Sequence, residues 1–321
     1  MKMKMMRRIL LLFLCCMPFA FAAQDYPDRP IRVIVPSAPG GGTDFVARVT
    51  GPALYERLKQ PLVVDNRGGA GGMLGSETAA KAAPDGYTLL LVFVNFSIYP
   101  SLYPHLTFDP VRDFEPISML AKTPLVLVVN LQVPAKSVKD LIALAKSGKP
   151  LNYAAPGVGS LGHLAGELFK VTTGIDMSHI PYKGGGPSIS ALLAGEVQAY
   201  FSTMPAALAQ VKAGKLRALA VTSAKRAAAE PDIPTIAESG VPGYDVTGWF
   251  GLLAPKKTPR PIVSLLNREV AQVLALADVK ERLTAGGVEP APSTPEQFAA
   301  TIRENVEKWG RVVKTAGIRA Q

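Results

Sequence analysis

The amino-acid sequence predicts an α/β protein of two domains, and three observations carry that prediction. The chain has 321 residues, a length that fits two domains of about 150 residues better than one. Short apolar runs alternate with amphipathic segments, first over residues 31–94 and again over residues 151–221. Glycine- or proline-containing loops join these segments. Such alternation is typical of parallel sheets covered by helices.

The N-terminal segment, residues 1–22, has the pattern of a secretory signal peptide. Four basic residues precede an apolar run over residues 9–21, and Ala20, Phe21 and Ala22 supply a small-x-small cleavage pattern. The apolar run is shorter than the roughly 20 residues that a membrane-spanning helix needs. We therefore expect cleavage after Ala22 and export of the mature protein.

The cysteines and the net charge change in meaning once this segment is removed. Cys15 and Cys16 lie inside it, so the mature protein is expected to have no disulfide and no cysteine metal site. Lipid modification is the alternative, although Phe13 and Leu14 are bulkier than such processing sites accept. Loss of four basic residues lowers the formal charge from +10 to +6. The remaining basic residues are scattered, so no nucleic-acid partner is expected.

The first alternating series predicts three strands and two helices. They are strand 31–35, helix 43–58, strand 61–65, helix 73–82 and strand 87–94. Pro52, after Gly51, is expected to kink the first helix. The unbroken apolar run of the third strand is typical of a strand buried on both faces. Asn95 follows this strand at its carboxyl end, where open α/β sheets place ligand contacts.

Two extended segments are predicted to carry the chain between the domains. Residues 114–121 and 125–130 form two runs separated by Lys122, Thr123 and Pro124, and we place the first crossing there. Residues 244–254 form the return crossing. The expected division is domain 1 over residues 23–123 with 246–321, and domain 2 over residues 124–245.

The second series repeats the logic of the first, and the last helix is the best-marked element. The predicted strands of the second series are 151–155, 177–182, 197–201 and 216–221. Thr294 and Gln297 form a capping box around Pro295 at the start of the last helix. One apolar stripe follows, formed by Phe298, Ile302, Val306, Trp309 and Val313. This helix is therefore expected to pack on the core.

Three glycine-rich loops open helices, at residues 36–44, 156–163 and 183–188. Backbone N–H groups at a helix start point outward at the positive end of the helix dipole, which suits an anion. Three such loops in two domains predict N–H groups converging on an anion from both sides of a cleft. The alternative is that tight α/β turns need glycine in any case. Asp44, at the first helix start, contacts a ligand amine or simply complements the dipole.

Two enzymatic interpretations of the second loop are weaker. Residues 157–162 match G-x-G-x-x-G, but Asp176 precedes the next strand instead of ending it, so no dinucleotide cofactor is expected. Ser160 with His163 suggests a hydrolase, yet a nucleophile elbow needs glycine where Val158 stands. The three histidines of the chain have no metal-ligand spacing, so no metal site is expected.

The sequence resembles the Bug family, the periplasmic substrate-binding proteins of tripartite tricarboxylate transporters. The matching stretches run nearly the whole mature chain in order. They are PIRVIVP (30–36) with PGGGTD (39–44), VDNRGGAGG (64–72), PDGYTL (84–89), YAAPGVGS (153–160), HIPYKG (179–184) and PDIPT (231–235).

The resemblance implies a two-domain periplasmic binding protein of type II topology that closes a cleft on a carboxylate. Carried over by position, the ligand-binding residues are Ser37, Ala38, Gly41, Gly42, Thr43, Asp44, Asn95, Gly157, Gly159, Ser160, His163, Tyr182, Lys183, Gly184, Gly186, Ser202 and Thr203. Ser37 departs from the family pattern, which commonly has an aromatic residue there. A small serine would widen the pocket or admit a polar ligand.

We therefore expect a non-enzymatic, monomeric periplasmic receptor that delivers a small carboxylate to membrane permease subunits. The expected ligands are a di- or tricarboxylate, an aromatic acid or an amino acid. Two alternatives stay open from the sequence, namely a secreted α/β hydrolase that uses Ser160 and a receptor that presents its ligand to a signalling partner.

Overall fold

The computed structural model describes residues 26–315 and 317, so the predicted signal peptide lies outside the described residues. The strands are β1 (Ile31–Val35), β2 (Leu62–Asn66), β3 (Thr88–Phe93), β4 (Phe114–Asn130), β5 (Asn152–Ala155), β6 (Ser178–Pro181), β7 (Ala199–Thr203), β8 (Leu216–Val221), β9 (Thr247–Pro255) and β10 (Glu289–Pro290). The helices are α1 (Gly42–Leu58), α2 (Met73–Ala80), α3 (Tyr99–Leu102), α4 (Val138–Lys146), α5 (Leu161–Thr173), α6 (Gly185–Ala194), α7 (Met204–Lys212), α8 (Arg260–Ala275), α9 (Ala277–Ala285) and α10 (Pro295–Thr315). Within this part of the chain no helix is long and apolar enough to cross a membrane.

The strands follow the order β2-β1-β3-β9-β4-β7-β5-β6, with β8 and β10 also paired to β4. β1 runs parallel to both β2 and β3, which confirms the predicted βαβαβ start. β5 runs parallel to β6 and β7, so the second series repeats the arrangement. In each series the helix starts therefore lie at the carboxyl edge of a parallel sheet.

β4 is one strand of 17 residues, where the sequence predicted two shorter runs. Its residues pair with β9 as far as Pro124 and with β7 and β8 from Leu125 onward. Pro124 does not break the strand because the partner strand changes at this point, where the missing N–H disrupts no continuous ladder.

The chain therefore forms two lobes, which we define by this change of strand pairing. The first lobe holds residues 26–124 with 247–315, and the second holds residues 125–246. The return to the first lobe follows Val246, whose N–H donates to the Thr222 carbonyl. The predicted domain boundaries lie one residue before each change of pairing, and they stay a prediction that the pairing supports.

The sheet of the first lobe is covered on both faces. Val33 and Leu252 pack on one face with residues of α1 and α8. Ile34 and Leu253 point to the other face, where they pack with the stripe of α10. The capping box of α10 is confirmed, because the Thr294 and Gln297 side chains each accept the other residue's N–H, at 3.2 and 3.0 Å. α1 continues through Pro52, and the sequence did not predict α9.

Candidate functional site

A cavity of about 60 Å³ lies between the two lobes, at the carboxyl ends of their strands. Its lining residues come from both lobes. They are Pro36, Ser37, Gly41, Gly42, Thr43, Gly71, Val92, Phe93, Asn95, Phe96, Tyr99, Leu125, Pro156, Ser160, Leu161, Gly162, Gly185, Tyr200, Phe201 and Thr203. None of these side chains carries a charge, so the cavity wall contains neither a fixed cation nor a fixed anion.

Among residues 26–315, four helices begin at this cavity. The lining residues at their starts are Gly42 and Thr43 of α1, Leu161 and Gly162 of α5, Gly185 of α6, and Thr203 before α7. The first N–H groups of a helix have no partner inside the helix. In the part of the chain that the structure describes, the N-cap residues of α1, α6 and α7 make no side-chain cap hydrogen bond, whereas the Ser160 hydroxyl accepts the His163 N–H in α5. The site therefore concentrates uncapped N–H donors and positive helix ends without any charged side chain.

Hydroxyl and amide groups form the polar part of the wall. The Asn95 Nδ2 donates to the Gly71 carbonyl at 3.2 Å and to the Tyr99 hydroxyl at 2.8 Å. Tyr99 in turn donates to the Gly71 carbonyl at 2.7 Å. Burial raises the pKa of Tyr200 to about 12, so its phenol is a neutral hydrogen-bonding group. The Ser37 Oγ is buried and has no hydrogen-bond partner among the described residues.

The rest of the wall is apolar. It consists of Pro36, Val92, Phe93, Phe96, Leu125, Pro156, Leu161 and Phe201, with the rings of Tyr99 and Tyr200. Removal of water by such a wall lowers the local dielectric constant, which strengthens every hydrogen bond to an enclosed anion. The site thus combines backbone donors from several helix starts with an apolar wall.

The two lobes are in contact beside the cavity through Gly71, Gly157, Gly184 and Gly186 and their neighbours, a contact that we call the glycine seam. The Ala38 N–H donates across it to the Lys183 carbonyl at 3.3 Å, and the Tyr103 hydroxyl donates to the Val158 carbonyl at 2.9 Å. A Cβ built on Gly157 would lie 2.8 Å from the Gly71 Cα. A Cβ built on Gly186 would overlap the Pro39 carbonyl oxygen. Because only glycine permits this approach, the seam needs glycines to close, independently of any ligand.

Seven predicted site residues line the cavity. They are Ser37, Gly41, Gly42, Thr43, Asn95, Ser160 and Thr203. The others lie around it. Ala38, Gly157, Gly184 and Gly186 belong to the glycine seam. Gly159 precedes α5 and donates its N–H to His163. Tyr182 places its hydroxyl 3.4 Å from Glu196 on an exposed side, Lys183 is exposed, and Ser202 donates to the Thr203 carbonyl.

The Asp44 side chain stabilises the first glycine loop, residues 36–44, through hydrogen bonds. Its carboxylate accepts the Gly40 N–H at 3.0 Å, the Arg48 guanidinium at 3.0 Å and the Asn66 amide at 3.1 Å. Burial alone would raise the pKa of Asp44, but the hydrogen bonds from Arg48, Gly40 and Asn66 hold it below its usual range. Both oxygens are thus occupied, and the side chain does not line the cavity.

His163 stabilises the second glycine loop and does not activate Ser160. Its Nδ1 accepts the Gly159 N–H at 3.2 Å, and its ring stacks on His179 with centroids 4.0 Å apart. The Ser160 hydroxyl instead accepts the His163 backbone N–H at 3.3 Å. A hydrolase needs the imidazole to take the serine proton. This pair has no such hydrogen bond.

The histidine pair predicts a loss of stability in acid. Burial lowers the pKa of both rings, that of His179 to about 3, although Glu167 opposes the shift at His163. The unfolded chain then binds more protons than the folded protein as the pH falls below about 6.5, so the free energy of unfolding decreases. We expect His179→Gln to remove about 1–2 kcal/mol of the decrease between about pH 7 and about pH 5. Urea denaturation of the wild type and the variant at both pH values measures the free energy of unfolding.

His105→Gln is the matched control for this experiment, because His105 is exposed and has no part in the pair. That variant should keep the pH dependence of the wild type. An unchanged pH dependence in His179→Gln would contradict the assignment.

The sequence did not identify the aromatic wall. Phe93, Phe96, Tyr99, Tyr200 and Phe201 lie in or beside apolar runs, where a residue that faces a ligand looks like a core residue. Phe93, Phe96 and Tyr99 lie at or just after the carboxyl end of β3, and that position was the available signal. Gly71 was also missed, although it lies in the glycine-rich stretch after β2.

Two lobes built from α/β units around a closed cleft define the class of two-domain periplasmic binding proteins. The family model described as tripartite tricarboxylate transporter family receptor matches residues 46–318. The chain belongs to this family.

Individual relatives agree with that assignment. Protein BugT of Bordetella pertussis is 41% identical over 302 residues, which cover 93% of this chain and 92% of that protein. The structure of Rpa4515 of R. palustris with adipate has a TM-score of 0.89 at 38% identity, covering 92% of this chain and 99% of that one. MatC of Rhodopseudomonas palustris with bound malate has a TM-score of 0.84 at 34% identity, covering 90% and 100%.

Proposed function

We propose that this chain is a periplasmic receptor that encloses a small carboxylate in the cleft and delivers it to the permease of a tripartite tricarboxylate-type transporter. One observation carries the proposal, namely that four helix starts of the described chain meet at a cavity whose described lining has no charged side chain. A helix start carries about half a positive charge, so several of them stabilise an anion without a basic residue.

The chemistry of the site suits a receptor that must release its cargo. Neutral N–H donors bind an anion less tightly than a bidentate arginine does, because the charge-assisted hydrogen bonds of arginine are roughly twice as strong. Adipate and malate in the two related structures are both carboxylates, which supports the same class of ligand here.

The same geometry favours binding over catalysis. Ser160 caps α5, and His163 uses its Nδ1 to accept a backbone N–H, so a general base for the serine is missing from this pair. We therefore propose a non-enzymatic function over the hydrolase alternative. The proposal includes export through the predicted signal peptide and a monomeric receptor in the periplasm.

Co-purified ligand and thermal stabilisation test the proposal. We expect mass spectrometry of the purified protein to detect a small carboxylic acid. Malate, succinate or adipate should raise the melting temperature, since a ligand at about 100 times its Kd adds about 2.7 kcal/mol of stability. No stabilisation by any carboxylate would contradict the proposal, as would ester turnover that Ser160→Ala abolishes.

A further inference from the structure

We infer that Ser37 selects, among small carboxylates, those with a hydroxyl or oxo substituent. The inference rests on the proposed function and specifies the ligand of that site. It concerns the part of the ligand that the helix starts do not bind.

The backbone of Ser37 is already fully engaged. Its N–H donates to the Val35 carbonyl at 2.8 Å, and its carbonyl accepts the Asn66 amide at 3.1 Å. Asn66 is held in turn by Asp44, at 3.1 Å. The position of the residue is therefore fixed by the protein, and its hydroxyl is the group left to interact with a ligand.

That hydroxyl lies on the cavity wall, is buried, and has no hydrogen-bond partner among the described residues. Neighbouring serines differ in this respect. Ser160 accepts the His163 N–H, Ser188 donates to the Gly184 carbonyl, and Ser202 donates to the Thr203 carbonyl. A buried hydroxyl without a partner costs about 1–3 kcal/mol, so a ligand group that pairs with it gains affinity.

The surroundings indicate which ligand group this is. Ser37 lies two residues after the end of β1 and five residues before α1 begins at Gly42, so it is not one of the helix-start donors that suit the carboxylate. An amine would need an acidic partner, but no acidic residue of the described part of the chain lines the cavity, and Asp44 is fully hydrogen-bonded. A hydroxyl both donates and accepts, which suits a neutral hydroxyl or oxo group.

Paired ligands test the inference. The probes are malate with succinate and lactate with propionate, which differ by one hydroxyl in each pair. We expect the wild type to bind the hydroxy acid of a pair about 5- to 10-fold more tightly. Ser37→Ala should remove this preference and change the affinity for the unsubstituted acid by less than about twofold. Isothermal titration calorimetry measures all the affinities.

Ser97→Ala is the matched control, because the Ser97 hydroxyl is also buried with no partner among the described residues but does not line the cavity. It should keep the preference. Equal losses for both acids of a pair in Ser37→Ala would mean that Ser37 contacts the carboxylate, and would overturn the inference. An unchanged preference in Ser37→Ala, or a wild type that binds only unsubstituted acids such as adipate, would also overturn it while the proposed function stands. Failure of the wild type to bind any carboxylate would reject both.

Discussion

Gly186→Ala is expected to lower carboxylate affinity by about 100-fold or more while the ligand-free protein stays folded. A methyl group here would overlap the Pro39 carbonyl oxygen, which belongs to the opposite lobe. The conflict therefore exists only when the cleft is closed. The substitution has two small and opposed effects on the stability of α6. Alanine favours a helix more than glycine does, but a residue with a side chain is restricted in its backbone conformation before Pro187.

The chain offers a matched control for this substitution. Gly51 also lies inside a helix and immediately before a proline, but a Cβ built on it meets nothing within 4 Å. Gly51→Ala should reproduce the local effects and leave binding unchanged. Calorimetry on both variants, with urea denaturation of the ligand-free proteins, separates closure from folding. Equal affinities in the two variants would show that the glycine seam does not close on the ligand.

Local signals in the sequence were sufficient for most of the fold. β3 is apolar from Leu89 to Phe93, and β1 is apolar apart from Arg32. Glycine or proline marks the neighbouring loops, so the βαβαβ order followed directly. The capping box at Thr294 fixed the start of α10 for the same reason, because the hydrogen bonds join residues three positions apart. Features that depend on neighbours in sequence were thus predictable.

Features that depend on contacts between distant residues were not predictable from the sequence. Lys122, Thr123 and Pro124 look like a break, and only the change of partner from β9 to β7 and β8 makes β4 continuous. The role of a glycine at the site is equally hard to predict from the sequence. Gly42 lines the cavity, whereas Gly186 does not line it and packs against the Pro39 carbonyl oxygen, yet the sequence marks both in the same way. The two roles differ only in what approaches the backbone.

Asp44 shows how far residue type alone predicts chemistry. From the sequence, an acid at a helix start was compatible with a ligand amine and somewhat better explained by the dipole. The structure adds that its oxygens are occupied by Gly40, Arg48 and Asn66, which hold the loop. The carboxylate is therefore part of the support for the helix start, and the cavity is left without a negative charge.

Among the described residues, no charged side chain lines the cavity, so an added negative charge should strongly weaken carboxylate binding. Thr203→Asp should lower carboxylate affinity by about 100-fold, because two negative charges about 5 Å apart repel by about 3 kcal/mol at an effective dielectric constant of about 20. Thr203 lines the cavity as the N-cap of α7 and makes no capping hydrogen bond. Aspartate is a preferred N-cap residue, so the substitution should not destabilise the fold.

Thr203→Asn isolates the charge from the change of shape. Asparagine has nearly the same size and the same preference for the N-cap position, and any crowding against Gly42 is common to both variants. We expect Thr203→Asn to bind malate or succinate within about threefold of the wild type and Thr203→Asp to bind neither tightly. Because the two variants differ in charge, equal losses would show that helix dipoles do not set the sign of the ligand. A retained affinity in Thr203→Asp would place the carboxylate away from α7, leaving α1, α5 and α6 as its donors.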